Sequence, residues 1–437
     1  MILIDGLRAV ATMDDAGTEL EDASILIDAG VIRWIGVGRA PVSQPPEVLD
    51  GHGLVAIPGL VNTHHHLYQT LTRVRAQQGG LFEWLRELYP VWATIDADWE
   101  RSAAEVGLAE LALSGCSTTT DHHYVFPSGV LGLLETEIEV AAQLGMRFHP
   151  CRGSMDLGQS QGGLPPDSVV ENRDAILAAT DDAIARFHKP ESGSMVRIAV
   201  GPCSPFSVSP ELMRESAALA RRHGVRLHTH IAETLDEEKY CQKTFGRRPV
   251  EFLDDLGFLG PDVWLAHCVH LGAPDIARLA ETKTGVAWCP TSNMRLGSGF
   301  APGRELLDAG VTVGLAVDGS ASNDSGNLLG EARQALLTTR ARRGAAAMTA
   351  RDALRLATRG GAACLGRDDI GSLQVGKRAD IALFAVDGLA FRGAESDPIA
   401  ALILCNPGPV HHLFVEGKLV VHDGHLVNVS EASLIWA

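Results

Sequence analysis

No stretch of about 18 consecutive apolar residues occurs in this chain, which argues against a membrane-spanning helix. The opening segment, MILIDGLRAVATMDD, lacks a basic stretch followed by a long apolar one. No signal peptide is therefore expected, and the expected location is the cytoplasm. No two of the eight cysteines (Cys116, Cys151, Cys203, Cys241, Cys268, Cys289, Cys364 and Cys405) stand at CxxC spacing. Several lie in apolar strand-like runs, so they read as reduced, buried small hydrophobes. Positive charge is scarce: 37 Lys and Arg face 54 Asp and Glu, a formal net charge of −17. Such a chain repels phosphate backbones, so nucleic acid is not an expected partner, and the surplus reads as solubility. No self-similar repeat of about 20–50 residues is visible, which sets aside solenoids and propellers. What is present is ordinary globular material: 437 residues, 46% apolar, with 46 Gly and 21 Pro. That length suits a large α/β barrel with a small companion, and buries a sizeable core without disulfides.

Residues 1–57 read as short strands (ILIDGLRAV, ASILIDAGVIRWIGVG, HGLVAIPG) separated by Gly and Asp turns. The end of the chain is similar, with ADIALFAVDG and PVHHLFVEGKLVVHDGHLV. Two strand-rich ends around a different middle point to one composite β-domain, residues 1–57 with 370–437. Between them, over 58–369, short β-like runs alternate with helical patterns. The runs are STTTDHH, GMRFHPCRG, MVRIAVGPC, VRLHTHIAE, VWLAHCVH, TGVAWCP and VTVGLAVDG. In PELMRESAALARRHG, Leu212, Ala217, Leu219 and Ala220 suit one helix face, with Pro at the start and Gly at the end. Repeated strand–helix alternation of this length predicts a (β/α) barrel of the α/β class.

Chemistry in such a barrel sits at the C-terminal ends of its strands, and His and Asp collect there. AIPGLVNTHHH closes on His64, His65 and His66. Residues two apart on a strand share a face, so His64 and His66 can both face the axis, with His65 directed away. VRLHTH ends at His230, and Glu233 follows three residues later, where it can lean over the site as an acid or base. His267 ends an apolar strand in AHCVH, and Asp318 ends VTVGLA before a Gly–Ser exit turn. Each has a bland explanation alone: a surface His run, a loop carboxylate, a charge in need of a partner. Together they fit a catalytic zinc-like site with room for water.

Substrate contacts are expected from Gln69, whose amide both donates and accepts, and from Trp84, Tyr89 and Trp92 on an amphipathic segment over the same mouth. Aromatics at that spacing equally suit plain packing. Arg152 and Cys203 end two further strand-like runs. Arg152 is expected either to bind a substrate carbonyl or to pair with a barrel carboxylate. His122 and His123 end STTTDHH, and neither is assigned to a metal.

PGLVNTHHH, HTHIAET, AHCVHL, CPTSNMRLGSG and VDGSASND, in that order, resemble the amidohydrolase superfamily in its deaminase and triazine-hydrolase branch. GSLQVGKRADIALF resembles the segment by which such chains return to the β-domain. The resemblance implies a distorted (β/α)8 TIM-like barrel with a composite β-sandwich. It implies one divalent ion, zinc or iron, on His64, His66, His230 and Asp318. His267 would orient the hydrolytic water, Glu233 would shuttle protons, and Asp318 would also take a proton from that water. No carboxylated Lys is evident to bridge a second ion. HHHLYQTLTR, LFEWLRELYPVW and TTTDHHYVFP are similar to the 8-oxoguanine deaminase group, which implies conversion of 8-oxoguanine to urate and ammonia. Isoxanthopterin, a hydroxy-triazine, guanine, cytosine or an adenosine derivative remain alternative substrates. A homodimer or higher homo-oligomer is implied by the resemblance alone. A non-catalytic barrel scaffold is the contrasting reading, yet degenerate relatives would lack ligand residues that are all present here.

Overall fold

The computed structural model describes residues 1–42, 44–405 and 408–435. Its centre is a ring of parallel strands met in chain order: Leu60–Asn62, Cys116–Thr119 continued by His122–His123, Arg147–Phe148 continued by Cys151–Ser154, Ala199–Pro202, Leu227–Ile231, Val263–His267, Gly285–Trp288 and Val313–Leu315. The last position meets the first: Thr63 N–H donates to Leu315 O at 3.1 Å, and Asp318 N–H donates to His64 O at 3.1 Å. Eight positions thus close into a barrel. Its strands are buried on both faces, as parallel strands covered by helices must be.

Helices follow the strands and cover the outside. Pro210–His223 shows how the local sequence sets one. Ser209 caps it by accepting from Leu212 N–H, Pro210 opens it, and Gly224 closes it at φ 66°. Leu212, Met213, Ala217, Leu219 and Ala220 face inward. Burying Leu212 alone contributes roughly 2–3 kcal/mol.

A second sheet, of nine strands among the described residues, draws on both ends of the chain. Ile2–Ala11 lies antiparallel to Glu19–Asp28 and parallel to Leu54–Pro58, which in turn pairs antiparallel with Ile381–Ala385. Ile4, Leu7, Ile25, Ile32, Leu383 and Phe414 belong to its own apolar core. The chain leaves this sheet for the barrel at Gly59, where a Cβ would stand 2.4 Å from Ser117 Oγ, so only glycine fits the crossing. Arg147, wholly buried at the start of the third barrel position, ties the two parts together. Its guanidinium bonds Asp380 at 2.9 Å, Glu416 at 2.8 Å and Gly193 O at 2.9 Å. Among the described residues, no helix is long and apolar enough to cross a membrane.

Candidate active site

The C-terminal rim of the barrel brings His64, His66, His230, His267 and Asp318 together, all nine-tenths buried or more. Hydrogen bonding decides which nitrogen of each ring is free. His66 Nδ1–H donates to His122 O at 2.8 Å, and His230 Nδ1–H donates to Cys203 O at 2.7 Å. A carbonyl only accepts, so both rings carry their proton on Nδ1 and a lone pair on Nε2. Those two Nε2 atoms face each other at 3.1 Å. His64 reaches the same state through a relay. Its Nδ1–H donates to His228 Nε2 at 2.8 Å, and His228 Nδ1–H donates to Trp264 O at 2.7 Å. His64 Nε2 is left buried with no hydrogen-bond partner, 3.3 Å from Asp318 Oδ1. His66 Nε2 stands 3.4 Å from the same oxygen.

Three imidazole lone pairs and a carboxylate therefore converge where no proton is held. Burial pushes the pKa of His64 down, and those of His66 and His230 well down, so bridging protons are disfavoured. Ligands about 2.0–2.1 Å from a tetrahedral ion stand about 3.3 Å apart, the spacing found here. The donor set fits a divalent ion of the zinc type. Asp318 is oriented by Ser292 Oγ at 2.6 Å and Ser322 Oγ at 3.2 Å on Oδ2, and by Gly319 N–H at 2.7 Å on Oδ1.

His267 and Glu233 stand beside this cluster. His267 Nδ1–H donates to Asn293 Oδ1 at 2.9 Å, which aims Nε2 at Glu233 Oε2, 3.5 Å away, and Asp318 Oδ2, 4.0 Å away. Burial lowers the His267 pKa, but the Glu233 and Asp318 carboxylates outweigh it and hold it above the ordinary value. Glu233 is pushed up to about 7, chiefly by burial, with His267 opposing. The Glu237 carboxylate fixes its loop by accepting from Ala232 N–H at 2.7 Å and Glu233 N–H at 2.9 Å. His267 at φ 71° and Asp318 at φ 64° lie in the left-handed region. Each such residue costs of order 1–3 kcal/mol, and such strain clusters at functional sites.

A cleft opens over these groups. Trp84 and Tyr89 line it from the helix Leu81–Trp92, Gln69 from the short 3-10 helix Leu67–Thr72 after the first strand, and Cys203 from the end of the fourth. Gln69 Oε1 is a buried acceptor with no partner. Burial pushes the Cys203 thiol up to about 12, so it stays protonated. Two expected contacts require correction. Trp92 lies behind the wall, wholly buried, its indole N–H donating to Thr72 Oγ1 at 3.2 Å and its ring edge-on to Tyr68 and Trp84. All three aromatics share the buried face of the helix, but Trp92 is its last residue and takes the packing role. Arg152 does not line the cleft either. Strand alternation puts Cys151 in the barrel core and turns Arg152 outward. There it forms a bidentate pair with Glu171 at 2.7 and 2.8 Å and lies 3.8 Å over the Phe126 ring.

His65 points away from the cluster, 3.9 Å from Asp121. His123 likewise turns outward to Glu137, 2.9 Å away. His122 belongs with the rim: its ring stacks on His230 at 4.8 Å, and its Nε2–H donates to Gly201 O at 2.7 Å. His228, Ser292 and Asn293 were missed as supporting residues. HTH alternation signalled His228, and CPTSN contained the other two without marking them.

A sequence model described as the amidohydrolase family matches residues 55–420. The 8-oxoguanine deaminase of Pseudomonas aeruginosa is 49% identical over 421 residues, 96% of this chain and 94% of that protein. Hydroxydechloroatrazine ethylaminohydrolase of a Pseudomonas species is 39% identical over 100% of this chain and 94% of its own. The crystal structure of an atrazine chlorohydrolase from Arthrobacter aurescens, complexed with zinc, superposes with a TM-score of 0.95 at 38% identity, covering 100% of this chain and 98% of that one. With its closed barrel, its terminal sheet and its His/Asp rim, the chain belongs to the amidohydrolase family, as a hydrolase acting on C–N bonds.

Proposed function

We propose that this chain uses one zinc ion on His64, His66, His230 and Asp318 to deaminate a small aminated heterocycle by hydrolysis, and that 8-oxoguanine is its substrate, giving urate and ammonia. The facing Nε2 atoms of His66 and His230, 3.1 Å apart with no proton between them, carry the metal assignment. An ion bound there lowers the pKa of water toward neutrality. Every proton transfer falls to the side chains. Asp318 takes one proton from the attacking water, and His267 holds that water beside Asp318. Glu233, whose raised pKa of about 7 keeps a large share of it protonated near neutrality, donates to the ring nitrogen next to the amino-bearing carbon and makes that carbon electrophilic. The C2–O bond forms as the carbon becomes tetrahedral. The new hydroxyl returns a proton to Glu233, Asp318 protonates the amine, the C2–N bond breaks and ammonia leaves. Both carboxyl groups end as they began.

The 49% sequence identity to the 8-oxoguanine deaminase of Pseudomonas aeruginosa supports 8-oxoguanine. So does the cleft: Trp84 and Tyr89 form an apolar wall for a planar base, and the unpartnered Gln69 Oε1 accepts from a ring N–H. A purine bearing several ring N–H groups meets that acceptor. The relation to a triazine aminohydrolase keeps a hydroxy-triazine as the second reading. Ammonia release from zinc-loaded protein tests the choice, with 8-oxoguanine, isoxanthopterin, guanine, cytosine and a hydroxy-triazine as substrates. Turnover of 8-oxoguanine well above the rest is expected; faster turnover of another member replaces the substrate and keeps the metal and proton assignments.

A further inference from the structure

A second group of imidazoles stands on the terminal sheet, outside the barrel. The strands Lys418–His422 and His425–Leu426 are joined by Asp423 and Gly424, both at positive φ (50° and 80°), the backbone pattern of a type I′ hairpin turn. That turn is docked on the neighbouring strand His412–Val415. Gly424 N–H donates to His411 O at 2.9 Å, and Asp423 N–H donates to His412 Nδ1 at 3.3 Å. Docking places one carboxylate among three rings. Asp423 Oδ1 is 3.4 Å from His411 Nε2 and 3.8 Å from His412 Nε2, and Oδ2 is 3.5 Å from His422 Nδ1. Ring centroids lie 4.4 Å apart for His411 and His412, and 4.9 Å for His412 and His422.

These nitrogen–oxygen separations are long for hydrogen bonds. Those of His411 and His422 are close to the 3.3 and 3.4 Å by which His64 and His66 stand from Asp318 at the barrel rim, and that of His412 is longer. Ligand atoms of His411, His412 and Asp423 all fall within 4.8 Å of one another. We propose that His411, His412, His422 and Asp423 form a second divalent-metal site, on the outer surface of the terminal sheet and separate from the catalytic ion. Imidazole-rich donors with one carboxylate select zinc, nickel or copper over magnesium or calcium. Ligation needs neutral rings. The His412 pKa is already pushed down to about 4, first by burial and then by its neighbours His411 and His422. Binding through His412 Nε2 moves that ring's proton to Nδ1 and gives up the long contact with Asp423 N–H. The His422 and Asp423 side chains are also about half or more exposed, at 47% and 63%. Both features set this site weaker than the one at the barrel rim, so it fills after it.

The test uses the full chain with its barrel site already zinc-loaded. The protein is equilibrated with excess nickel or zinc, freed of unbound ion, and its metal counted per chain. Wild type is expected to carry a second equivalent that the double variant His411→Ala, His422→Ala lacks, with deamination unchanged. Asp423→Asn tolerates the same turn conformation and should weaken the second equivalent without unfolding the hairpin. With copper as the added ion, imidazole nitrogen couplings should appear in the paramagnetic resonance spectrum of wild type and vanish in the double variant. A wild-type chain that takes up no second ion, or a double variant that keeps it, overturns the proposal.

Discussion

Glu233→Gln removes the proton donor and leaves the metal ligands in place. Turnover should fall by about 10²–10⁴-fold with metal content unchanged. Near-wild-type turnover in that variant would remove Glu233 from the mechanism. The pH dependence has a definite sign. Glu233 acts in its protonated form and its pKa stands at about 7, so turnover should decline as pH rises through that value, and no comparable limb should remain in the Gln variant. A contrast between two other residues checks the cleft. Gln69→Leu deletes an unpartnered acceptor inside it and should raise KM, while Arg152→Met acts outside it and should leave KM near wild type, measurable in one set of steady-state assays. The rim residues were legible because they close strand-like runs and His64 and His66 share a strand face. Arg152 was not, because a four-residue strand such as Cys151–Ser154 carries too little alternation to show which side faces in. The helix Leu81–Trp92 posed a related problem: its aromatics share one buried face, and which of them reaches the cleft depends on how far along the helix each sits, with Trp92 at its end against Tyr68.

At the scale of elements, strand–helix alternation announces the barrel, and matching strand-rich ends announce the terminal sheet. Their join was not legible, because Arg147 and Asp380 are 233 positions apart and neither belongs to a motif. Arg147 is fully buried and paired, so removing it strands the buried Asp380 carboxylate, while Glu416 keeps its pair with Arg378. Arg147→Ala should cost about 3–5 kcal/mol in denaturant unfolding. A loss below 1 kcal/mol would mean that water compensates the pair.

Across the whole molecule, buried acid groups make stability depend on pH. Burial raises the pKa of Glu100 and of Glu137 well above the ordinary 4.5, beside His123 and Asp121 between the barrel and the helices Ala97–Leu113 and Leu133–Leu144. A carboxyl whose folded pKa is raised contributes stability that is full below its unfolded pKa and is lost as pH rises through the folded value. Thermal stability should therefore fall from about pH 4.5 upward through these groups, and Glu100→Gln, neutral at every pH, should flatten that fall. An unchanged pH profile in the variant would show that Glu100 is not protonated in the native state.

The metal claim underlies the rest, and one paired measurement reaches it most directly: ammonia release and metal content followed together on chelator-treated protein as zinc is added back. Activity should be absent at first, rise in proportion to the first equivalent bound and then level off, while His230→Ala gains neither ion nor activity at that stage. Full turnover by metal-free protein, or activity that ignores the first bound equivalent, would contradict the account of the barrel rim.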